Sequence, residues 1–301
     1  MKKFLIAAAF VSLCVTPASA ATKILFVGNS LDFGAWGAVH FYKTDTVHDL
    51  NGKQKNGKTN GGVPALFKEF TVEAGLDYDV SSELVGGQGM DYHLANKRAE
   101  IDKPWDVVVM HGYSSLNQKK VGDPQLVIDT ARQMTDMLRA KNAQVQVFLA
   151  STWGRPDMTY IKDGKGPGGP WLGKTVQQMG IDVQAIYDQA GKNAGIPAAN
   201  VVPISLAINR AIDTGFGDGN NYDGVDAEKV NMFAFDGHHG TDFAYYLSAL
   251  MYFGKVTGKD PLSLGPKESA AEDLGFGPKQ TTALQQIAHD QLANQQQASA
   301  K

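Results

Sequence analysis

The chain has 301 residues, 43% of them apolar, and its 28 Lys and Arg against 31 Asp and Glu leave a formal net charge of −3. That length and apolar fraction suit one large globular domain, and a near-balanced charge without a basic cluster excludes nucleic acid as an expected partner. The one cysteine, Cys14, leaves no disulfide framework to expect.

The N-terminus reads as a processing signal. Met1-Lys2-Lys3 is a basic start, residues 4–15 form an apolar core, and Ala18-Ser19-Ala20 supplies small residues for cleavage before Ala21. The apolar run is too short to span a membrane as a stable helix, so no stable membrane insertion is expected. Leu13 stands before Cys14 where a lipoprotein signal wants a small residue. The expectation is a 1–20 signal peptide of bacterial type, a single domain over 21–301, and a periplasmic or secreted protein. Cleavage would remove Cys14, and with it thiol catalysis.

Residues 23–27, Lys-Ile-Leu-Phe-Val, form a short strand buried on both faces, which runs into Gly28-Asn29-Ser30-Leu31. The turn leaves Ser30 at the C-terminal end of the strand, where open α/β sheets bind ligands. Residues 32–62 are glycine-rich and aromatic, with Trp36, His40, Phe41, Tyr42 and His48, and show no periodicity; they read as a functional loop or a surface insertion. Helical spacing returns over 63–74, with Pro64 in the first turn and Gly75 as the stop. A second strand over 78–85 ends in Gly86-Gly87-Gln88-Gly89 and leads to a helix over 90–101. A third strand, 105–110, ends in His111-Gly112-Tyr113-Ser114.

A helix over 124–140, a strand over 145–150, a Gly/Pro-rich loop over 155–173 and a helix over 175–194 follow. Residues 200–204 form a fifth strand, with Ser205 placed to cap the next helix. A loop over 215–225 precedes Phe233-Ala234-Phe235, then Asp236-Gly237-His238-His239 and an apolar helix over 241–254. An amphipathic helix over 278–297 closes the chain. Apolar strands alternating with helices predict a three-layer αβα sandwich around a parallel sheet of about five strands.

Ser30 is either a helix cap or a nucleophile, and the second needs a base with a group to orient it. Asp236 and His239, three residues apart, supply such a pair: the carboxylate accepts a hydrogen bond from Nδ1–H and leaves Nε2 free for the serine. His238 competes with His239 as the base. The Asp-Gly-His-His cluster could also bind metal, but no second ligand motif accompanies it, and no metal or cofactor is expected. The backbone N–H groups of Ser30 and Gly87 are candidate oxyanion donors.

Taken together, these blocks resemble the SGNH (GDSL-type) hydrolases. Gly28-Asn29-Ser30-Leu31 is similar to their first block, Gly87 to the glycine of the second, and Asp236-Gly237-His238-His239 to the last. The resemblance covers residues 23–258 and implies a flavodoxin-like sheet and cofactor-free ester hydrolysis. It implies catalysis by Ser30, Asp236 and His239 and an oxyanion hole at Ser30 and Gly87. The third block departs, because Tyr113 falls where that family has an oxyanion-binding Asn. Its hydroxyl, or that of Ser114, is the substitute on offer, in a divergent branch.

The expected activity is hydrolysis of an O-acylated carbohydrate or other small ester. The alternative is a catalytically impaired protein of the same fold that binds a glycan or peptide. Asn29, Trp153 and Arg155, at strand ends, are the candidate substrate-binding residues, with Arg155 free to hold an anion or to pair with Asp157. Trp36 and Trp171 either stack on a sugar or pack their loops. Asp218, Asn220 and Asp223 suggest calcium, but the loop lacks the EF-hand glycine and glutamate positions and reads as a turn.

Overall fold

The computed structural model describes residues 20–160, 169–224 and 226–299. The expected leader lies outside the described residues apart from Ala20, as do residues 161–168 of the 155–173 loop and Val225. The main sheet holds β1 (Thr22–Gly28), β2 (His48–Asp49), β3 (Tyr78–Leu84), β4 (Val107–Met110), β5 (Gln146–Ala150) and β6 (Val201–Val202). All pairings are parallel, in the order β2-β3-β1-β4-β5-β6. Five of these strands match the sequence expectation. The sixth, β2, is a two-residue edge inside the 32–62 segment, too short to leave a periodic signal.

Alternation along the strands builds the three layers. Ile24, Phe26, Val107, Val109, Phe148 and Ala150 face one core. Leu25, Val27, Val108, Met110, Val147 and Leu149 face the other. Helices α2 (Gly62–Glu73), α8 (Ile204–Asp213), α9 (Asp242–Thr257), α10 (Ser269–Asp273) and α11 (Pro278–Ser299) cover the first face. Helices α3 (Met90–Asn96), α5 (Gln125–Lys141) and α7 (Val176–Asn193) cover the second. Each fully buried Phe, Leu, Ile or Val contributes about 1.5–3 kcal/mol, and β1 carries four at zero exposure. That explains why it sits at the centre of the sheet.

Three local differences from the sequence reading have physical reasons. The 90–101 helix breaks at Lys97 into α3 and α4 (Arg98–Ile101). Residues 32–62 are not featureless: α1 (Ser30–Phe33) and two short 3₁₀ turns lie there, tied to the body by Tyr42 Oη donating to Asp273 (2.9 Å) and the Asn60 amide donating to Asp49 (2.8 Å). Ser205 does not cap α8. Pro203 occupies that position, and Ser205 N donates instead to Ser151 Oγ at the end of β5 (3.1 Å). A short helix, α6 (Pro156–Thr159), and a separate parallel pair, β7 (Gly217–Asp218) with β8 (Val230–Asn231), complete the elements.

The strand order reverses about β1, with β3 added on one side and β4 on the other, while every strand keeps the same direction. Such a switch point opens a crevice at the carboxyl ends of the strands, and Ser30 follows β1 there.

Candidate active site

The turn after β1 is built by Asn29. Its Oδ1 accepts from Leu31 N (3.1 Å) and caps α1, while its Nδ2 donates to Gln88 O (2.8 Å) and Gly112 O (3.2 Å). One side chain thus ties together the segments that follow β1, β3 and β4. The expected substrate-binding role of Asn29 does not fit this arrangement, because the amide is buried and engaged with backbone on both sides. Gly28 favours glycine, since a Cβ there would run into the buried His111 ring.

Ser30 Oγ lies 2.9 Å from His239 Nε2, and His239 Nδ1 lies 2.6 Å from Asp236 Oδ2. Three residues from opposite ends of the chain therefore form one hydrogen-bonded row. Exposure rises along it, from 7% at Ser30 to 15% and 27% for the His239 and Asp236 side chains. Asp236 Oδ1 accepts the backbone N–H of His238 and of His239, each at 3.0 Å. Oδ2 accepts the His239 Nδ1 proton and also the indole N–H of Trp36 at 3.1 Å. Burial pushes the Asp236 carboxyl up, but the hydrogen bonds from the His239 ring and the two amides outweigh it and bring the group down to about 2. Asp236 is therefore a carboxylate at any working pH, and it selects the His239 tautomer whose Nε2 can accept a proton.

His238 stacks on His239 with centroids 4.3 Å apart. Burial, then the Arg155 charge and His239, drop its pKa to about 3, so it stays neutral. The geometry places His239, not His238, on Ser30. Among the described residues no group of three or more His, Cys, Asp or Glu is arranged to hold a metal ion. Asp218 and Asn220 close an Asx turn (2.9 Å), and Asn220 Nδ2 donates to Asp223 (2.9 Å).

Ser30 N–H, in the first turn of α1, and Gly87 N–H, after β3, have no hydrogen-bond partner among the described residues. Gly87 holds φ +70°, a left-handed conformation that favours glycine. Tyr113 packs its ring on Gly89, with its hydroxyl beside the Asp91 carboxylate and the Gly89 backbone; burial, then the Asp91 charge, raises its pKa. That hydroxyl lies toward the start of α3.

Two more expected substrate-binding residues turn inward. Trp153 is buried, and its indole donates to His238 O (3.1 Å), bracing the base loop from below. Arg155 forks onto Asp157 (2.9 and 2.5 Å) and donates to Ser114 Oγ (3.0 Å), so its guanidinium pairs within the protein rather than waiting for an anion. Trp171 is buried and donates to Asp182 (3.1 Å), the packing role. Trp36 is the reverse, 66% exposed and edge-to-face with Phe235, itself 68% exposed, at 5.2 Å.

Two buried His–carboxylate pairs beneath the turn escape a reading of the sequence. His111 Nε2 lies 3.3 Å from Asp32 Oδ2, its Nδ1 lies 3.0 Å from Gly112 O, and Tyr252 Oη donates to Asp32 Oδ1 (3.1 Å). Burial lowers the His111 pKa, but the Asp32 charge and hydrogen bonds overcome it, and the net direction is up. On the other side His93 pairs with Glu83, and its Nε2 bonds Gly28 O (2.9 Å). The signal available was Glu83 within a strand that reads as buried, since a charge there demands a partner.

The chain has the fold of the SGNH (GDSL-type) hydrolases. Over 79% of its length it superposes on 97% of a protein assigned as a GDSL-like lipase from Parabacteroides merdae, at 16% identity and TM-score 0.53. It matches 96% of a lipase/acylhydrolase from Enterococcus faecalis over 79% of its length, at 14% identity and TM-score 0.51. An acetylxylan esterase from Geobacillus stearothermophilus is similar over 78% of this chain and 94% of its own, at 14% identity and TM-score 0.50. No protein-family model and no curated protein matches the chain.

Proposed function

We propose that this protein is an exported serine esterase acting on an O-acylated carbohydrate or another small ester. The observation that carries the reading is the 2.9 Å approach of His239 Nε2 to Ser30 Oγ, with Asp236 2.6 Å behind the ring. His239 takes the hydroxyl proton as Ser30 Oγ forms a bond to the acyl carbon, and the carbonyl π electrons move onto oxygen. The free N–H groups of Ser30 and Gly87 receive that oxyanion. Collapse breaks the bond to the alcohol oxygen, which leaves with the proton from His239. Water, deprotonated by the same imidazole, then releases the acid and restores Ser30.

Two features support the substrate class. Ser30 retains only 7% exposure, which favours a slim acyl group. Trp36 and Phe235 offer an exposed aromatic ledge beside the row, suited to the apolar face of a sugar ring. The acetylxylan esterase above acts, by its name, on such an ester. Export is supported by the basic start, apolar core and Ala18-Ser19-Ala20 of the N-terminus.

The test is turnover of p-nitrophenyl acetate by the purified chain and by Ser30→Ala. A loss of at least about 10³-fold is expected; equal rates would refute the reading. Tyr113, standing where the resemblance calls for an oxyanion-binding Asn, favours a second reading, a glycan- or peptide-binding protein with impaired chemistry. Saturable glycan binding with no Ser30-dependent turnover would decide for it.

A further inference from the structure

We infer that Trp36 is a positioning residue of this site, acting through the Asp236 carboxylate; the inference rests on the hydrolytic reading above. The indole N–H can only donate, and it points at Asp236 Oδ2 from 3.1 Å, the oxygen that already accepts the His239 Nδ1 proton. Trp36 Nε1 also comes within 3.2 Å of His239 Nδ1, so two donors converge on one oxygen. With the two amides on Oδ1, the carboxylate is held by four donors from three directions, and Trp36 is the one supplied from outside its own loop.

Core packing does not account for this placement, because the side chain is two-thirds exposed and its aromatic neighbour Phe235 is equally so. The backbone resists it as well. Trp36 has φ +69°, a left-handed conformation that a residue with a Cβ seldom adopts. Such strain persists where the surroundings impose it, and it gathers at functional sites. Here α9 imposes it. The Asp242 carboxylate accepts from Ala38 N and Val39 N (3.1 and 3.0 Å), and Tyr245 Oη donates to Ala35 O (2.9 Å). The helix that follows His239 therefore clamps the chain on both sides of Trp36 and aims the indole back at the acid.

The chemical consequence concerns the proton transfer. As His239 takes the Ser30 proton it becomes an imidazolium, which is stabilised only while Oδ2 stays in line with Nδ1. Two amides fix Oδ1 but leave the carboxylate free to tilt about that end. The indole N–H closes that freedom. A role in positioning predicts loss in kcat, whereas a role only as a ledge for substrate predicts loss in KM.

The test compares the full chain with Trp36→Phe, which keeps an aromatic face and removes the N–H, on p-nitrophenyl acetate. We expect kcat to fall about tenfold with KM within about twofold, the size of one lost hydrogen bond to a charged group. In an Asp236→Ala background the same substitution should no longer slow Ser30 phosphonylation by a fluorophosphonate, because the carboxylate it positions is gone and only the 3.2 Å approach to Nδ1 remains. Trp36→Gly, at ease at positive φ, should repeat the kcat loss with the thermal midpoint unchanged or raised. An unchanged kcat, a change confined to KM, or the same loss in both backgrounds would overturn the inference while Ser30-dependent turnover left the esterase reading intact. Wild-type turnover no faster than that of Ser30→Ala would remove both.

Discussion

At the scale of single residues, two adjacent histidines of one loop have different environments and different work. His239 faces Ser30, while His238 is stacked beneath it and held neutral by burial and the Arg155 charge. His238 has a folded pKa of about 3 against an ordinary 6.5, so its contribution is fully present above pH 6.5 and is lost as pH falls toward about 3, where the unfolded chain binds a proton the native one refuses. We predict that His238→Gln narrows the gap between the denaturation midpoints at pH 7 and pH 4; urea titrations at the two values check it, and an unchanged gap would contradict the neutral, half-buried assignment. The neighbouring Asp236 behaves in the same sense over a lower window, from its ordinary 3.8 down to about 2. Its amide variant, Asp236→Asn, should lower kcat by about 10⁴-fold with little change in KM, since the wrong imidazole tautomer then faces Ser30.

At the scale of elements, the turn between β1 and α1 is fixed from three sides. Asn29 stitches it to the segments after β3 and β4, His111 lies against Gly28, and His93 holds the Gly28 carbonyl. Both imidazoles are themselves held by buried carboxylates, Asp32 and Glu83. Removing one partner of such a pair leaves the other's buried polar atoms unpaired, at a cost on the order of 1–3 kcal/mol. We predict that loss for Asp32→Ala in equilibrium denaturation, together with slower reaction at Ser30. Asn29→Ala should lose about 1 kcal/mol from the cap alone. The motif residues were legible because each block is local: a strand, a turn and a serine, or an acid and a base three residues apart. The roles of Trp36 and Asp32 were not, because their partners lie far away in sequence and no local pattern marks them, whereas Glu83 carried a signal only through its place in a buried strand. Trp153 and Arg155 show a further limit. Their place at the end of β5 was readable, but the direction of their side chains, inward onto His238 O and Asp157, depends on packing that no spacing encodes.

At the scale of the molecule, the sheet does two things for the site. Its central strand is buried on both faces, which makes the base of the Ser30 turn rigid, and the reversal of strand order about β1 opens the crevice above it. Phe26 joins the two functions. It packs edge-to-face with Phe67 (5.4 Å) and Tyr252 (5.6 Å), and Tyr252 in turn holds Asp32 beneath the turn. Phe26→Ala should cost about 3–5 kcal/mol, measurable as a fall in the denaturation midpoint. The alternation of apolar strands and helices made the three layers readable from the sequence. The two-residue edge strand and the short helices of the C-terminal part carry too few residues for a period to emerge.

The central claim is that Ser30 is made nucleophilic by His239. Reaction of the purified chain with a fluorophosphonate, followed by peptide mapping in a mass spectrometer, tests it most directly. The account predicts one adduct, on Ser30, formed far more slowly in His239→Ala and absent in Ser30→Ala. An unmodified Ser30, or an adduct formed equally fast without the imidazole, would contradict it.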